Sequence, residues 1–501
     1  MANLKSLAQD TVIYGLSSIA ARFINYLLVP IQTAKFNAAG GQYGIITNVY
    51  AYVALFIIIL TYGMETTFFR FMNKDGVNPK KVYGTTLWTV GFTSLLFMII
   101  ITLFNEPIAT LMKYPDHPEY ILVMAITVAI DAFTAIPFAY LRYAHRPIKF
   151  AVLKTFNISL NIILNVLYLV ILPHFKINLF GIYDANFTLH VVWIFYINLL
   201  CSVSTLFMLF KELKGFEYGF NNSVCKKMLS YTWPLLIMGV AGQLNQCASQ
   251  IIFPYFFNGS PADARIQLGI YGASIKITTI MVMITQAFRY AYEPFVFGQS
   301  RGKNSKDLYA KAMKFYIIFT LLAFLFVMGY MDILRYIVGK SYWDGLKIVP
   351  IVMCAEIMFG IYFNLSFWYK LIDRTIWGAY FSGIGAFILI AIDVIFIPYF
   401  SYWACAWAGF ISFAVSIALS YFFEQKYYPI AYPLKDIGFY TLIAAVLFAG
   451  ISLNNSHLHT LTAIILNTLL IILYIIITIK RDFPLSALPI IGKHFRKQER
   501  K

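Results

Sequence analysis

Stretches of about 20 mostly apolar residues recur along the whole of this 501-residue chain, separated by short polar connectors. Fourteen such spans are predicted, near 10–31, 43–68, 83–105, 120–141, 150–172, 187–210, 228–256, 267–293, 310–331, 347–370, 375–397, 402–423, 435–453 and 459–480. At 1.5 Å per residue each crosses the ~30 Å hydrocarbon core of a bilayer. Lipid cannot satisfy free backbone groups, and the strict alternation of a membrane barrel is absent, so the spans are read as helices. The first is interrupted by Arg22 and lacks a small-residue cleavage site, which makes it a span and not a cleavable signal peptide. The fold class expected is therefore all-α integral membrane.

Composition reinforces the pattern. The chain is 60% hydrophobic and 12% charged, against roughly 45–50% and 25% in soluble globular proteins. No hydrophilic block is left for a soluble domain. The net charge of +17 does not indicate nucleic acid, because the basic residues sit in the connectors. With the N-terminus inside, alternate connectors carry Lys80 and Lys81; Arg142, Arg146 and Lys149; Lys211, Lys214, Lys226 and Lys227; and Arg301, Lys303, Lys306, Lys311 and Lys314. The remaining connectors are poor in Lys and Arg. This asymmetry places both termini in the cytoplasm and calls for an even number of spans in an inner membrane. The five cysteines are scattered, with no CxxC pair or His-Cys cluster, so neither a disulfide framework nor a metal site is indicated. No cofactor is expected.

Ionisable groups inside spans are expensive and need a partner or a wet cavity. Arg22, Asp131, Lys276 and Glu356 lie near mid-membrane, with Asp393 nearer the outer face. Glu65, Arg70, Arg289 and Glu293 lie nearer the cytoplasmic ends of spans two and eight. Ser18, Arg22 and Asn25 make one polar stripe on span one. Gln243, Gln246 and Gln250 make a matching stripe on span seven, beside Asn245 and Ser249. Two such stripes suit a water-filled cavity, and arginine there suits an anionic ligand, since its planar fork binds phosphate oxygens bidentately. The alternative is a structural bridge from Arg22 to Asp131 or Glu356. Lys276 reads as a cavity-facing ammonium, with outward snorkelling as its alternative. Asn157, Asn161 and Asn165 repeat at four-residue spacing on span five, a pattern of interhelical hydrogen bonding.

Spans one and seven share a spacing (Gly15, Arg22, Pro30 and Gly239, Gln246, Pro254). The next spans open with Tyr43-Gly44 and Tyr271-Gly272 and reach Glu65 and Glu293 at equal distance. A repeat separated by six helices keeps its membrane orientation, giving parallel halves about an axis along the membrane normal. No GxxxxGK[ST] loop is present and no outside connector is long enough for a catalytic domain, so an enzyme is not expected.

The stretches Tyr62–Phe71 (YGMETTFFRF), Ala287–Phe295 (AFRYAYEPF) and Asp10–Gly15 (DTVIYG) resemble the bacterial oligosaccharide flippases of the multidrug/oligosaccharidyl-lipid/polysaccharide exporter superfamily, most closely their lipopolysaccharide and O-antigen branch. The resemblance implies two six-helix lobes around a central cavity, here residues 1–212 and 213–424, then two further helices over 425–482 and a basic tail over 483–501. It implies a polyprenyl-diphosphate-linked oligosaccharide as cargo, moved from the cytoplasmic to the periplasmic leaflet. By position Arg22 and Lys276 match the basic residues that receive the diphosphate in related flippases; Arg70 and Arg289 lie deeper toward the cytoplasm. Asn25, Gln246 and Gln250 would line the path. Asp131, Glu356, Glu65 and Glu293 are the candidates for a coupling proton or sodium ion. They keep open the alternative of a cation-coupled multidrug antiporter of the same superfamily. A non-transporting envelope-assembly protein is the second alternative.

Overall fold

The computed structural model describes residues 23–482 apart from 25, 75, 179, 180, 185, 300–304 and 373, and the side chains of these except at 290, 291, 293–299 and 305. The described residues are helical and contain no strand. The helices in chain order are α1 (Leu28–Lys35), α2 (Gln42–Thr61), α3 (Met64–Met72), α4 (Pro79–Leu103), α5 (Pro118–Tyr143), α6 (Pro147–Val166) and α7 (Val192–Met208). They continue as α8 (Asn222–Phe256), α9 (Pro261–Gln299), α10 (Ser305–Gly329), α11 (Val349–Leu365) and α12 (Ile376–Phe400). The chain closes with α13 (Tyr402–Tyr427), α14 (Leu434–His457) and α15 (Thr460–Arg481). Shorter helical turns link them. The protein is a multi-pass, all-α integral membrane protein.

Among the described residues eleven helical segments are long and apolar enough to span a membrane. A twelfth forms if α7 is joined to the 3-10 helix Phe210–Tyr218, bent from it by 61°. The predicted seventh span is α8, 35 residues long and made more polar by its glutamines. The predicted first span lies outside the described residues except at its end, so fourteen stands as an approximate count. Helix starts follow local chemistry. Proline sits at the first position of α4, α5 and α6, where a missing N–H costs nothing. The Asn78 side chain accepts the Lys80 N–H at 3.0 Å and caps α4.

Two spans differ from their expected regularity. The second is not continuous: Tyr62 (φ 35°) and Gly63 (φ 74°) adopt left-handed backbone, which separates α2 from α3. Glycine is needed there twice over, since a Cβ on Gly63 would also meet Leu235 at 2.8 Å. The fifth span passes from α6 into a π-helical turn, Leu167–Ile171. Neither irregularity changes the apolar pattern, so neither is visible in it.

The chain divides into two compact units. The first holds the described residues up to Lys276 with Val338–Gly345 and Thr375–Ser412. Its core includes Phe68, Val82, Leu87, Val90, Ile136 and Ala139, all fully buried. Here α2 crosses α9 at glycines. A Cβ on Gly44 would fall 1.8 Å from the Arg265 carbonyl oxygen, and one on Gly272 would fall 2.1 Å from Thr47 Oγ1. Small residues let the backbones approach, the usual basis of helix packing in lipid. In the second unit, Lys314 Nζ donates to Asp436 at 2.8 Å and to Asp482 at 2.5 Å, and Arg481 donates to Asp436 at 2.6 Å. These bonds tie the first half of α10 and the start of α14 to the end of α15.

Gly44→Val should force α2 and α9 apart and lower stability by about 1–3 kcal/mol, the usual cost of overpacking. Gly242→Ala, where a Cβ meets nothing within 4 Å, should not. Thermal unfolding midpoints of the purified variants in detergent would check both.

Candidate functional site in the membrane interior

The first unit carries a polar column between α6 and its neighbours. Lys154, Asn157, Asn161 and Asn165 follow one another at three- and four-residue spacing, so they share one face of α6. Asn157 Nδ2 donates to Thr205 Oγ1 at 2.8 Å and to the Cys201 carbonyl at 3.2 Å, and Asn161 Nδ2 donates to Asn198 Oδ1 at 2.9 Å. Asn198 in turn bonds the Tyr50 hydroxyl on α2. The asparagine stripe is thus committed to holding α6 against α7.

At one end of the column four charges of alternating sign gather. Glu65 in the first turn of α3 pairs with Arg142 in the last turn of α5, each at the helix end that favours its charge. Arg142 also lies over the Phe69 ring at 5.1 Å. Asp131 accepts a hydrogen bond from Ser202 and lies within electrostatic reach of Lys154, which sits 4.1 Å over the Phe138 ring. Lys154 is not singled out by sequence reading, because a lysine four residues inside a predicted span is within snorkelling reach of the interface. Only the fold turns it toward Asp131.

The span-seven stripe resolves into two faces of α8. Asn245 Nδ2 donates to the Ser382 carbonyl on α12 at 2.9 Å, and its Oδ1 accepts from Ser412 on α13 at 3.0 Å. Ser249 Oγ donates to the fully buried Asp393 on α12 at 2.6 Å. These contacts hold α8 against α12 and α13. Gln243, Gln246 and Gln250 share a face turned away from them by more than a quarter of a turn. Gln246 is exposed, and Gln250 receives the Asn48 side-chain N–H on its backbone carbonyl at 2.6 Å.

The basic candidates are placed differently from one another. Lys276, in α9, is half-buried and has no carboxylate within ion-pair distance among the described residues. Arg70 is exposed and lies 4.1 Å over the Tyr231 ring at the start of α8. In the second unit Arg289 lies 4.0 Å over the Phe363 ring. Glu356, on α11, has a buried Oε2 without a hydrogen-bond partner among the described residues. Arg22, Asn25 and the Glu293 side chain lie outside the described residues.

Sequence reading also missed Glu424. It lies in α13, fully buried, and its Oε1 accepts the Tyr432 hydroxyl at 2.8 Å. Its place at the end of a span hid it, since carboxylates there are ordinarily solvated.

Among the described residues, Glu65 is thus engaged by Arg142, Asp131 by Ser202 and Lys154, and Asp393 by Ser249. Lys276 has no carboxylate within ion-pair distance among those residues. Inside lipid such a cation favours an anion beside it.

A model of the family described as "Polysaccharide biosynthesis protein" matches residues 40–346, well over half of the chain. No curated protein matches the sequence. Among solved structures, the lipid II flippase MurJ in an inward closed conformation superposes with a TM-score of 0.68 at 16% identity, covering 94% of this chain and 99% of that one. An inward-facing multidrug resistance MATE family transporter of the MOP superfamily gives 0.60 at 14% identity, covering 83% and 95%. The MATE multidrug transporter DinF-BH gives 0.59 at 15% identity, covering 84% and 95%. The fold is one shared by these transporters, and the chain belongs to the polysaccharide biosynthesis protein family.

Proposed function

We propose that this protein is a flippase, not an enzyme, that moves a polyprenyl-diphosphate-linked oligosaccharide across the bacterial inner membrane. The cargo would be a lipopolysaccharide, O-antigen or capsule precursor, carried from the cytoplasmic to the periplasmic leaflet by alternating access of two six-helix lobes. The observation that carries this reading is Lys276, a cation in an apolar span with no carboxylate within ion-pair distance among the described residues, in a member of a polysaccharide biosynthesis family. An unpaired charge at that depth costs at least about 2.5–3.5 kcal/mol, and a diphosphate would repay it with charge-assisted hydrogen bonds. Arg22 and Asn25 join Lys276 at the diphosphate, Gln246 and Gln250 wet the sugar path, and Arg70 and Arg289 receive the headgroup from the cytoplasmic side. Moving negative charge out of an inside-negative cell is favoured by about 2.3 kcal/mol per charge per 100 mV.

Ion coupling is a second component, favoured by the alternating charges around Asp131 and by the fold shared with MATE transporters. Exchange of H+ or Na+ on Asp131, Glu65, Glu356 or Glu293 would add driving force to the same cycle. A cation-exporting antiporter fits less well, because Lys276, with no carboxylate within ion-pair distance among the described residues, favours an anionic cargo.

Two measurements test these roles. In cells whose only copy carries Lys276→Ala, surface polysaccharide should fall at least about tenfold, as expected for loss of one charge-assisted contact, and lipid-linked precursor should accumulate inside. Lys276→Arg should restore display, whereas normal display with the alanine variant removes the anion-binding role. For the column, Asp131→Asn and Lys154→Met should each lower the unfolding midpoint, with a coupling of about 0.5–3 kcal/mol recovered in the double variant. Ion-stimulated transport should stay lost in that double variant. Its return would make the pair purely structural.

A further inference from the structure

A groove on the first unit is lined by none of the residues of the polar column. It runs between α4 and the first turns of α8, is also lined by Tyr62 where α2 breaks, and encloses about 650 Å³. That size falls within the ~300–1,000 Å³ of small-molecule sites. Its walls are Trp88, Phe92, Leu229 and Trp233, large apolar side chains that stay 42–65% exposed. Its threonine hydroxyls are already engaged within the protein: Thr89 Oγ1 donates to the Thr85 carbonyl at 2.6 Å, and Thr232 Oγ1 donates to the Met228 carbonyl at 2.6 Å and meets Thr67 at 3.1 Å. With the Tyr62 hydroxyl buried, the lining is mainly apolar and suits a hydrocarbon chain better than a polar molecule.

The end of the groove is different in character. Phe220 lines it, directly after the Tyr218-Gly219 turn. Lys81 Nζ lies 3.8 Å from where a Cβ on Gly219 would stand, and Lys80 Nζ lies 5.4 Å from the Tyr218 ring. Lys226 and Lys227 follow the lining residue Cys225 in the first turn and a half of α8. All four lysines are exposed, and Glu217 is a nearby exposed acid among the described residues. Both helices thus begin with paired lysines at one end of an apolar slot.

We propose that this groove is a binding site for an anionic glycerophospholipid, with an acyl chain in the slot and the phosphate among Lys80, Lys81, Lys226 and Lys227. Juxtamembrane lysine clusters attract anionic lipid headgroups, and the apolar slot adds a chain-specific contact that a surface patch alone lacks. Its volume of about 650 Å³ suits a single acyl chain better than the whole tail of a polyprenyl carrier, which favours the phospholipid as occupant. Bound lipid would brace α4 against α8 on the side where α2 is broken. The inference does not depend on what the protein transports.

The test uses the full-length protein in phosphatidylcholine vesicles that contain a trace of phosphatidylglycerol bearing a diazirine on one acyl chain. After irradiation, mass spectrometry should find adducts in the Trp88–Thr93 and Leu229–Leu236 segments, several-fold above those from a matched phosphatidylcholine probe. Lys81→Ala with Lys226→Ala should abolish that preference, and Leu229→Trp, which fills the slot, should lower labelling by both probes. Equal labelling of the unaltered protein by the two probes, or adducts confined to other segments, overturns the proposal. Displacement of the probe by a polyprenyl diphosphate but not by unlabelled phosphatidylglycerol also overturns it, and assigns the groove to the cargo.

Discussion

The constraint on which this structure rests is that a bilayer interior accepts no hydrogen bonds, so every polar group placed there must be answered by the protein. The first unit answers with side chains that bridge helices: Asn245 to Ser382 and Ser412, Ser249 to Asp393, Asn157 to Thr205. The second does the same at Asn467, which donates to the Gly329 carbonyl at 3.0 Å and to Asn455 at 2.8 Å. Each such bond fixes which face of a helix meets which neighbour. Apolar packing alone could not, because lipid tails are as apolar as the side chains they would be exchanged for.

The same constraint sorts the charges by role. A pair such as Glu65 and Arg142 is self-sufficient and holds α3 to α5. A cation such as Lys276, with no carboxylate beside it among the described residues, is not, and its environment favours whatever anion reaches it. Arg70 and Arg289 are intermediate: each lies on an aromatic face, which stabilises a guanidinium.

Close helix approach supplies the other half of the architecture. Gly44 and Gly272 let α2 and α9 touch backbone to side chain, and Gly63 admits Leu235 where a Cβ could not fit. The break at Tyr62-Gly63 also ends α2 early and starts α3 with Glu65 in its first turn, where the helix dipole favours the carboxylate. One local backbone feature therefore positions the acid that Arg142 needs and shapes the inner wall of the lateral groove.

Much of this was legible in the amino-acid order. Thirteen of the predicted spans correspond to described helices, since the length of an apolar run is set by bilayer thickness and needs no tertiary information. The asparagine stripe of span five, its interhelical role and the unusual charges at Asp131, Lys276, Glu356 and Asp393 were equally readable, because an ionisable or amide group in an apolar run stands out by itself. The sequence could not divide the polar residues of span seven, since whether Asn245 or Gln246 meets a neighbour depends on which side α12 packs. It could not join Lys154 to Asp131 or mark Glu424 as buried, because those facts arise from residues distant in the chain meeting across helices. The sequence alone determined that the chain lives in lipid and which polar groups would need answers there; the tertiary structure decided which groups answer each other, because hydrogen bonds and charge pairs act only over the few ångströms that folding creates.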